Sequence, residues 1–298
     1  MTDVKKMAKN GKKPDPVSFR IVKIIVCIIF AVYSFSLIVP VIWALIVSVA
    51  DPFWFLFTGF AKMPTQFDFS NYVRTFDVIY EVSGLSFEMM IINSIWWAVG
   101  GALLSVIVSN ITAYACARYN FVGGKVLYWV AVIGMMIPIA SNTAPLFKLC
   151  KDMNIVHTPL MLLTQMGGLG FNFIVIYSAY KGISGEYAEA AFMDGAGHLR
   201  VFLSIYFPMS ISSMIALGLM QFIGLWGDPQ FPLLFLDGYE NLASGLYLIE
   251  NKLRFAEEES LEPIFYAALM ISTIPSITLF MIFRKKFMDM QISGGIKG

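Results

Sequence analysis

The stretch Glu189-Ala190-Ala191-Phe192-Met193-Asp194-Gly195-Ala196, which continues to Pro208, is a short polar segment between two long apolar runs. Ser184 is a suitable N-cap, and the acidic residues of the following turn suit the positive end of a helix dipole. The alanines are strong helix formers, and their small side chains let another protein approach closely. Gly195 follows the last periodic residue, where a left-handed C-cap is expected. With a second short helix from His198 to Phe207, the stretch predicts a helix-turn-helix elbow.

The composition indicates a membrane protein. Hydrophobic residues make up 58% of the chain and charged residues 14%, with a mean hydropathy of +0.71 and a net charge of +1. A soluble chain has about a quarter charged residues, so the lipid bilayer is the expected solvent. The three cysteines have no C-x-x-C spacing, and only two histidines are present. These residues predict neither a disulfide framework nor a metal site.

Six apolar runs predict an all-α integral membrane protein with six transmembrane helices. The runs lie at about residues 24–50, 89–113, 126–147, 158–180, 209–226 and 263–283. The first run is too long for a signal peptide and long enough to span a bilayer. The predicted regions are an N-terminal tail (1–23), a first helix with an external loop (24–86), a main domain (87–283) that contains the elbow (181–208), and a C-terminal tail (284–298).

The distribution of basic residues predicts the orientation. With six spans, both termini and the elbow lie on one side, which holds 15 of the 21 lysines and arginines. Short cytoplasmic segments are enriched in these residues. The termini and the elbow are therefore expected in the cytoplasm.

The predicted spans contain no Asp, Glu, Lys, Arg or His. Proton-driven transporters usually need such groups within the membrane, so the chain is not expected to energise transport in that way. Gly123-Gly124-Lys125 is followed by Val126 and lacks the spacing of a phosphate-binding loop. The sequence contains no set of catalytic residues at a recognisable spacing, so it does not predict an enzyme.

Neutral amides are the main polar groups inside the spans. Either they form hydrogen bonds between helices, or they line a path for a hydroxyl-rich solute. The candidates for such a path are Asn93, Asn110, Gln165, Asn172 and Gln221.

The elbow resembles the cytoplasmic loop of permease subunits of ATP-binding-cassette (ABC) importers. That family has the pattern E-A-A, two residues, D-G-A, five residues, F, two residues, I, two residues, P, and this chain matches it without a gap. The matching residues proposed to couple to an ATPase are Glu189, Ala190, Ala191, Asp194, Gly195, Ala196, Phe202 and Pro208.

Other segments resemble the smaller permease of maltose-type carbohydrate importers. They are Asn93-Ser94, Ala113-Tyr114-Ala115 followed by Arg118, Pro138, Trp226, and the C-terminal Gly294-Gly295-Ile296-Lys297-Gly298. One departure is Gly227, where the family commonly has Asn after the tryptophan. The resemblance implies that the glycine-rich tail contacts the ATPase. The alternative is that the tail is a frayed terminus.

The resemblance implies the type I ABC importer transmembrane fold in a bacterial cytoplasmic membrane, where lipid surrounds the chain. The expected protein partners are a second permease in a heterodimer, two ATPase subunits and an extracytoplasmic solute-binding protein, with no nucleic acid. ATP and magnesium would bind the ATPases, and this chain would hold no cofactor or metal and would not be an enzyme. A sugar or oligosaccharide is the expected cargo. The alternatives are an importer of a polyamine or amino acid and a stand-alone sodium-coupled transporter.

Overall fold

The computed structural model describes residues 17–58, 63–119, 121–137, 142–256 and 261–295, and within these ranges the chain is helical. One isolated bridge pairs Ala50 with Phe67. The α-helices are α1 (Val17–Ser48), α2 (Pro52–Thr58), α3 (Asn71–Ser83), α4 (Phe87–Arg118), α5 (Gly124–Met136), α6 (Thr143–Asp152), α7 (Phe171–Lys181), α8 (Glu186–Met193), α9 (His198–Val201), α10 (Phe207–Trp226), α11 (Gln230–Phe235), α12 (Leu242–Ala256) and α13 (Glu262–Gly295). A 3-10 helix, Pro159–Met166, precedes α7.

The central helix is α4, which packs against α7, α10 and the 3-10 helix. It starts after Ser86, whose hydroxyl accepts the Met89 N–H at 3.3 Å, as expected of an N-cap. Buried residues occur along its whole length, from Phe87 to Ala117. Its other face, which includes Ile92, Leu103 and Ile111, is exposed. Because it packs against three other elements, α4 is the element around which the others are arranged.

The helices α1 and α13 pack against each other at the edge of the bundle. Most side chains of α1 from Ile21 to Leu45 are exposed, including Phe30 and Phe35 at 64% and 66%. Such an apolar surface requires lipid or another apolar partner.

Four helical stretches are long and apolar enough to cross a membrane: Ile21–Ser48, Phe87–Arg118, His198–Trp226 and Glu262–Lys285. The 3-10 helix and α7 form a fifth candidate, bent by 48°. The predicted run 158–180 is therefore a broken helix rather than one continuous span, because Gly167 adopts a positive φ of 36° between its halves. The predicted run 126–147 contains α5 and the start of α6. The apolar helix α5 is shorter than the four helices that are long enough to cross a membrane.

The first and last helices extend beyond the predicted spans. The first helix begins at Val17, before the predicted span at residue 24, and the last continues to Gly295, beyond the predicted span end at residue 283. The basic residues Arg284 and Lys285 therefore lie within a helix. Basic side chains are good helix formers, so the end of an apolar run does not mark the end of the helix.

The segments between apolar runs are also helical. The predicted external loop before α4 contains α2 and α3, which confirms its helical pieces. The predicted acidic loop 228–262 contains α11 and α12, which we had not expected. Buried Leu246 and Ile249 of α12 pack in one cluster with Ile79 of α3 and Met90 of α4. This packing stabilises a helix whose polar residues resemble those of a loop.

Some predicted features lie outside the described residues. They are the basic N-terminal segment up to residue 16, Pro138, the acidic residues Glu257, Glu258 and Glu259, and the last three residues of the glycine-rich terminus.

Candidate functional site

The first half of the elbow is α8, whose end has the predicted left-handed turn. Gly195 has a φ of 79°. Its N–H donates to the Phe192 carbonyl at 3.0 Å, and the Ala196 N–H donates to the Ala191 carbonyl at 2.9 Å. These two bonds form a Schellman motif. At the other end Gly185, not Ser184, occupies the N-cap position, and the Ser184 hydroxyl accepts the Glu186 N–H at 3.3 Å.

The second half of the elbow differs from the prediction. The helix that begins at His198 does not end before Pro208 but continues through a π-helical turn, Phe202–Tyr206, into α10. Proline has no N–H, and its ring clashes with the carbonyl four residues earlier in a regular α-helix. The wider π turn, in which Phe207 N–H bonds to the Phe202 carbonyl, accommodates Pro208 in the first turn of α10. The second half of the elbow is therefore continuous with α10.

The elbow presents apolar side chains to its surroundings. No residue of α8 is buried. Met193 is 88% exposed and Leu199 70% exposed, beside exposed Glu189 and Asp194. A small surface with exposed apolar side chains and a polar rim is typical of a protein-docking site.

Arg118, at the end of α4, attaches the elbow to the bundle. Its Nη2 donates to the carbonyl oxygens of Tyr180 and Ile183, just before the elbow. Its guanidinium also lies over the Tyr206 ring, 4.5 Å from the centroid. One cation thus contacts the chain on both sides of the elbow. In the sequence this arginine stands out only through the family resemblance, because its partners are backbone carbonyls that no sequence pattern marks.

Asn110 is buried between helices. Its Oδ1 accepts the Tyr180 hydroxyl at 3.0 Å, and that hydroxyl lies 3.0 Å from the Ser210 hydroxyl. Its Nδ2 donates to the Met214 sulfur at 2.8 Å. These contacts join α4, α7 and α10. We name Asn110, Tyr180 and Ser210 the three-helix cluster.

Asn93 also lies in a helix contact. Its Nδ2 donates to the Glu240 carbonyl at 3.1 Å, and its Oδ1 accepts the Trp96 indole N–H at 3.2 Å. It attaches the start of α4 to the segment before α12.

The other three candidate amides lie together around a polar cleft of about 390 Å³. Gln165 comes from the 3-10 helix, Asn172 from α7 and Gln221 from α10. The Asn172 Nδ2 donates to the Ser105 hydroxyl of α4 at 3.1 Å. The remaining lining residues are Thr164, Gly167, Gly170, Phe171 and Met220.

The broken helix next to the cleft is held by side chains of α4. The Ser109 hydroxyl donates to the Gly167 carbonyl at 3.4 Å, and the Thr112 hydroxyl donates to the Gly168 carbonyl at 3.0 Å. Irregular backbone within a membrane protein occurs where it is satisfied by protein or lines a cavity. Both conditions hold here, because α4 bonds to the carbonyls of Gly167 and Gly168 and Gly167 lines the cleft.

A second polar cavity of about 370 Å³ shares Thr164 and Gln165 with the cleft. It reaches Asn142 before α6 and Asp228 before α11. Gln165 therefore lines both polar cavities. Among the described residues no group of three or more His, Cys, Asp or Glu side chains is arranged to hold a metal ion.

Comparisons with known proteins agree with this architecture. The chain is 24% identical to the diacetylchitobiose uptake system permease protein of Streptomyces coelicolor, with 85% of this chain and 82% of that protein covered. It is 28% identical to the trehalose/maltose transport system permease protein of Thermococcus litoralis, with 94% and 97% covered. It is 26% identical to the arabinooligosaccharides transport system permease protein of Halalkalibacterium halodurans, with 69% and 73% covered.

A solved structure shares the fold. It is a chain of a bacterial ABC transporter involved in the import of the acidic polysaccharide alginate, with a TM-score of 0.75 at 21% identity. The match covers 93% of this chain and 100% of that one.

The family comparison covers the elbow and the cleft together. Residues 105–288, more than half of the chain, match the family described as the binding-protein-dependent transport system inner membrane component. This match confirms the prediction of a membrane transport subunit rather than an enzyme. The chain that carries this elbow and this cleft belongs to the family of binding-protein-dependent transport system inner membrane components.

Proposed function

We propose that this protein is the permease subunit of an ATP-driven importer of a saccharide. It pairs with a second permease to enclose the path, two ATPase subunits that bind ATP and magnesium dock below, and a solute-binding protein delivers the cargo from outside. A saccharide as the transported solute is supported by the similar proteins, which are named for diacetylchitobiose, for trehalose and maltose, and for arabinooligosaccharides.

The polar cleft carries the proposal. Gln165, Asn172 and Gln221 each offer an amide that both donates and accepts hydrogen bonds. Phe171 adds an aromatic side chain. Neutral amides and hydroxyls that converge in a cleft suit a hydroxyl-rich, uncharged solute, since the amides match its alternating donors and acceptors. The second permease would complete the cleft.

We propose six membrane crossings with both termini in the cytoplasm. The four long helices supply four crossings, and the bent pair supplies the fifth. The sixth is α5, which at 13 residues is shorter than the ~20 that span a bilayer. The bias of basic residues toward the terminal side and the elbow supports the orientation.

The elbow is the proposed docking helix for one ATPase subunit. Met193 and Leu199 would insert into a cleft of the ATPase, and Glu189 would bond at its rim. Ala190 and Ala191 would allow close contact. The exposure of these apolar side chains supports this role, and the continuous helix from His198 to α10 would transmit the displacement.

The test is uptake by the complete importer in proteoliposomes. Maltose, diacetylchitobiose, an acidic oligosaccharide, a polyamine and an amino acid would be offered in turn. We expect uptake of a neutral saccharide that depends on ATP and on the binding protein. Uptake of the polyamine or the amino acid alone would instead establish the alternative importer, and uptake by the purified chain without ATPases would refute both.

A pair of variants tests the cleft itself. Gln221→Leu removes the amide but keeps the size, and we expect it to lower uptake by about tenfold if one hydrogen bond to a buried polar partner is lost. Met220→Leu changes a neighbouring lining residue without changing its polarity and is the matched control. Equal uptake by the two variants would contradict the assignment of the cleft.

A further inference from the structure

The three-helix cluster is a buried polar contact at the centre of three apolar helices. Asn110, Tyr180 and Ser210 are 1%, 0% and 1% exposed. Each contributes a hydrogen bond to a residue on a different helix. Inside a bilayer such bonds persist because water does not compete for them.

The cluster lies next to the attachment of the elbow. Arg118 holds the backbone oxygen of Tyr180, and the hydroxyl of the same tyrosine is held by Asn110 and Ser210. Tyr180 is therefore fixed at both ends, in the last turn of α7 before the elbow. Below the cluster, Tyr114 contacts the rings of Tyr180 and Tyr206, with centroids 5.7 and 5.2 Å apart.

Each helix of the cluster also carries a residue of the polar cleft. The pairs are Asn110 and Ser105 on α4, Tyr180 and Asn172 on α7, and Ser210 and Gln221 on α10. At ~1.5 Å per residue the two members of a pair are separated by about 8, 12 and 16 Å along their helices. None of these intervals contains a break in the helix.

We propose that the three-helix cluster is the joint through which displacement of the elbow reaches the cleft, with Tyr180 as its positioning residue. The cluster makes α4, α7 and α10 move as one body, because a shift of one helix would leave buried polar groups without partners. Asn110 thus acts on transport without touching the solute. This inference rests on the proposed function, since it requires an ATPase that moves the elbow.

The experiment uses the complete importer in proteoliposomes with a reporter in the cleft. Thr164→Cys lies in the cleft on the 3-10 helix, which is not one of the three helices of the cluster. On a background in which the exposed Cys27 is replaced by serine, it would carry an environment-sensitive fluorophore. ATP with vanadate traps the ATPases closed, and trapped nucleotide and reporter fluorescence are measured separately. Tyr180→Phe removes only the hydroxyl. Tyr177→Phe, one turn earlier on the same helix and only partly buried, is the matched control.

We expect wild type and Tyr177→Phe to trap nucleotide and change their fluorescence. Tyr180→Phe should trap as much nucleotide but show a fluorescence change about fivefold smaller, as expected for the loss of the hydrogen bonds of one buried hydroxyl. A purely structural role would lower trapping and fluorescence together, because the elbow itself would be misplaced.

Several results would overturn the inference. They are an equal fluorescence change in Tyr180→Phe and wild type, an equal loss in both tyrosine variants, and loss of trapping in Tyr180→Phe. If Tyr180→Phe does not assemble, Ser210→Ala, which removes one bond of the cluster, decides in its place. Failure of both variants to assemble would assign the cluster to folding. Absence of trapping in the wild type would instead refute the proposed function.

Discussion

Replacing Gly195 tests the turn on which the elbow depends. Gly195 has a φ of 79°, and a Cβ added there would meet nothing within 4 Å. The cost of Gly195→Ala is therefore conformational alone, about 1–2 kcal/mol for an L-residue in the left-handed region. That energy corresponds to a factor of about 5–30 in the population of the native turn. A β-branched residue, as in Gly195→Val, should cost more because its side chain is stiffer.

Uptake and ATP hydrolysis by the reconstituted importer would be measured together. We expect Gly195→Ala to reduce solute transported per ATP hydrolysed within that range, while the subunit still inserts. Gly197→Ala is the matched control, because Gly197 also has free space around it but adopts an ordinary extended conformation, with φ −76° and ψ 163°. Equal transport by the two variants would show that the turn is not needed for coupling.

Further predictions concern the elbow, its attachment and the bundle. Glu189→Lys should weaken co-purification of the ATPase, whereas Glu186→Lys, at the start of the same helix, should not; equal recovery would contradict the proposed interface. Arg118→Lys keeps the charge but removes the Nη2 that donates to both carbonyls and the guanidinium that lies over the Tyr206 ring, and thermal unfolding should show a loss of about 1.5–3 kcal/mol. Unchanged stability would mean that these bonds contribute nothing. Gly134→Ala, with nothing within 4 Å of the added Cβ, should stabilise its helix by about 1 kcal/mol. Gly101→Ala would bring a Cβ to 2.5 Å from a neighbouring leucine side chain, whose displacement costs about 1 kcal/mol, so thermal unfolding should show it to be less stable than Gly134→Ala.

The elbow was largely predictable because its determinants are local. The acidic first turn, the alanines and a glycine after the last helical residue specify a short helix and a left-handed C-cap. The continuation through Pro208 was not predictable, because proline normally indicates a break and the π turn that accommodates it has no sequence signature. The helices α11 and α12 were missed for a related reason, since their stability comes from packing against distant residues.

The roles of the five amide side chains could not be predicted from the sequence. Sequence placed them all inside apolar runs and left two roles open for each. In the structure Asn93 bonds to a loop carbonyl and Asn110 bonds between helices, whereas Gln165, Asn172 and Gln221 line the cleft. Their separation depends on how each helix is rotated and on the break at Gly167, and neither is set by residues nearby in the chain.

The amino-acid sequence by itself determined that this protein is a helical membrane protein with a polar elbow. Its determinants are hydropathy, charge distribution and helix caps, which act over a few residues. Only the tertiary structure decided which polar groups meet. The contacts of Tyr180 with Asn110 and Ser210, and of Arg118 with two carbonyls, join segments that are 30 or more residues apart. A buried hydrogen bond depends on distance and direction between two helices, and these are settled by the packing of the whole bundle.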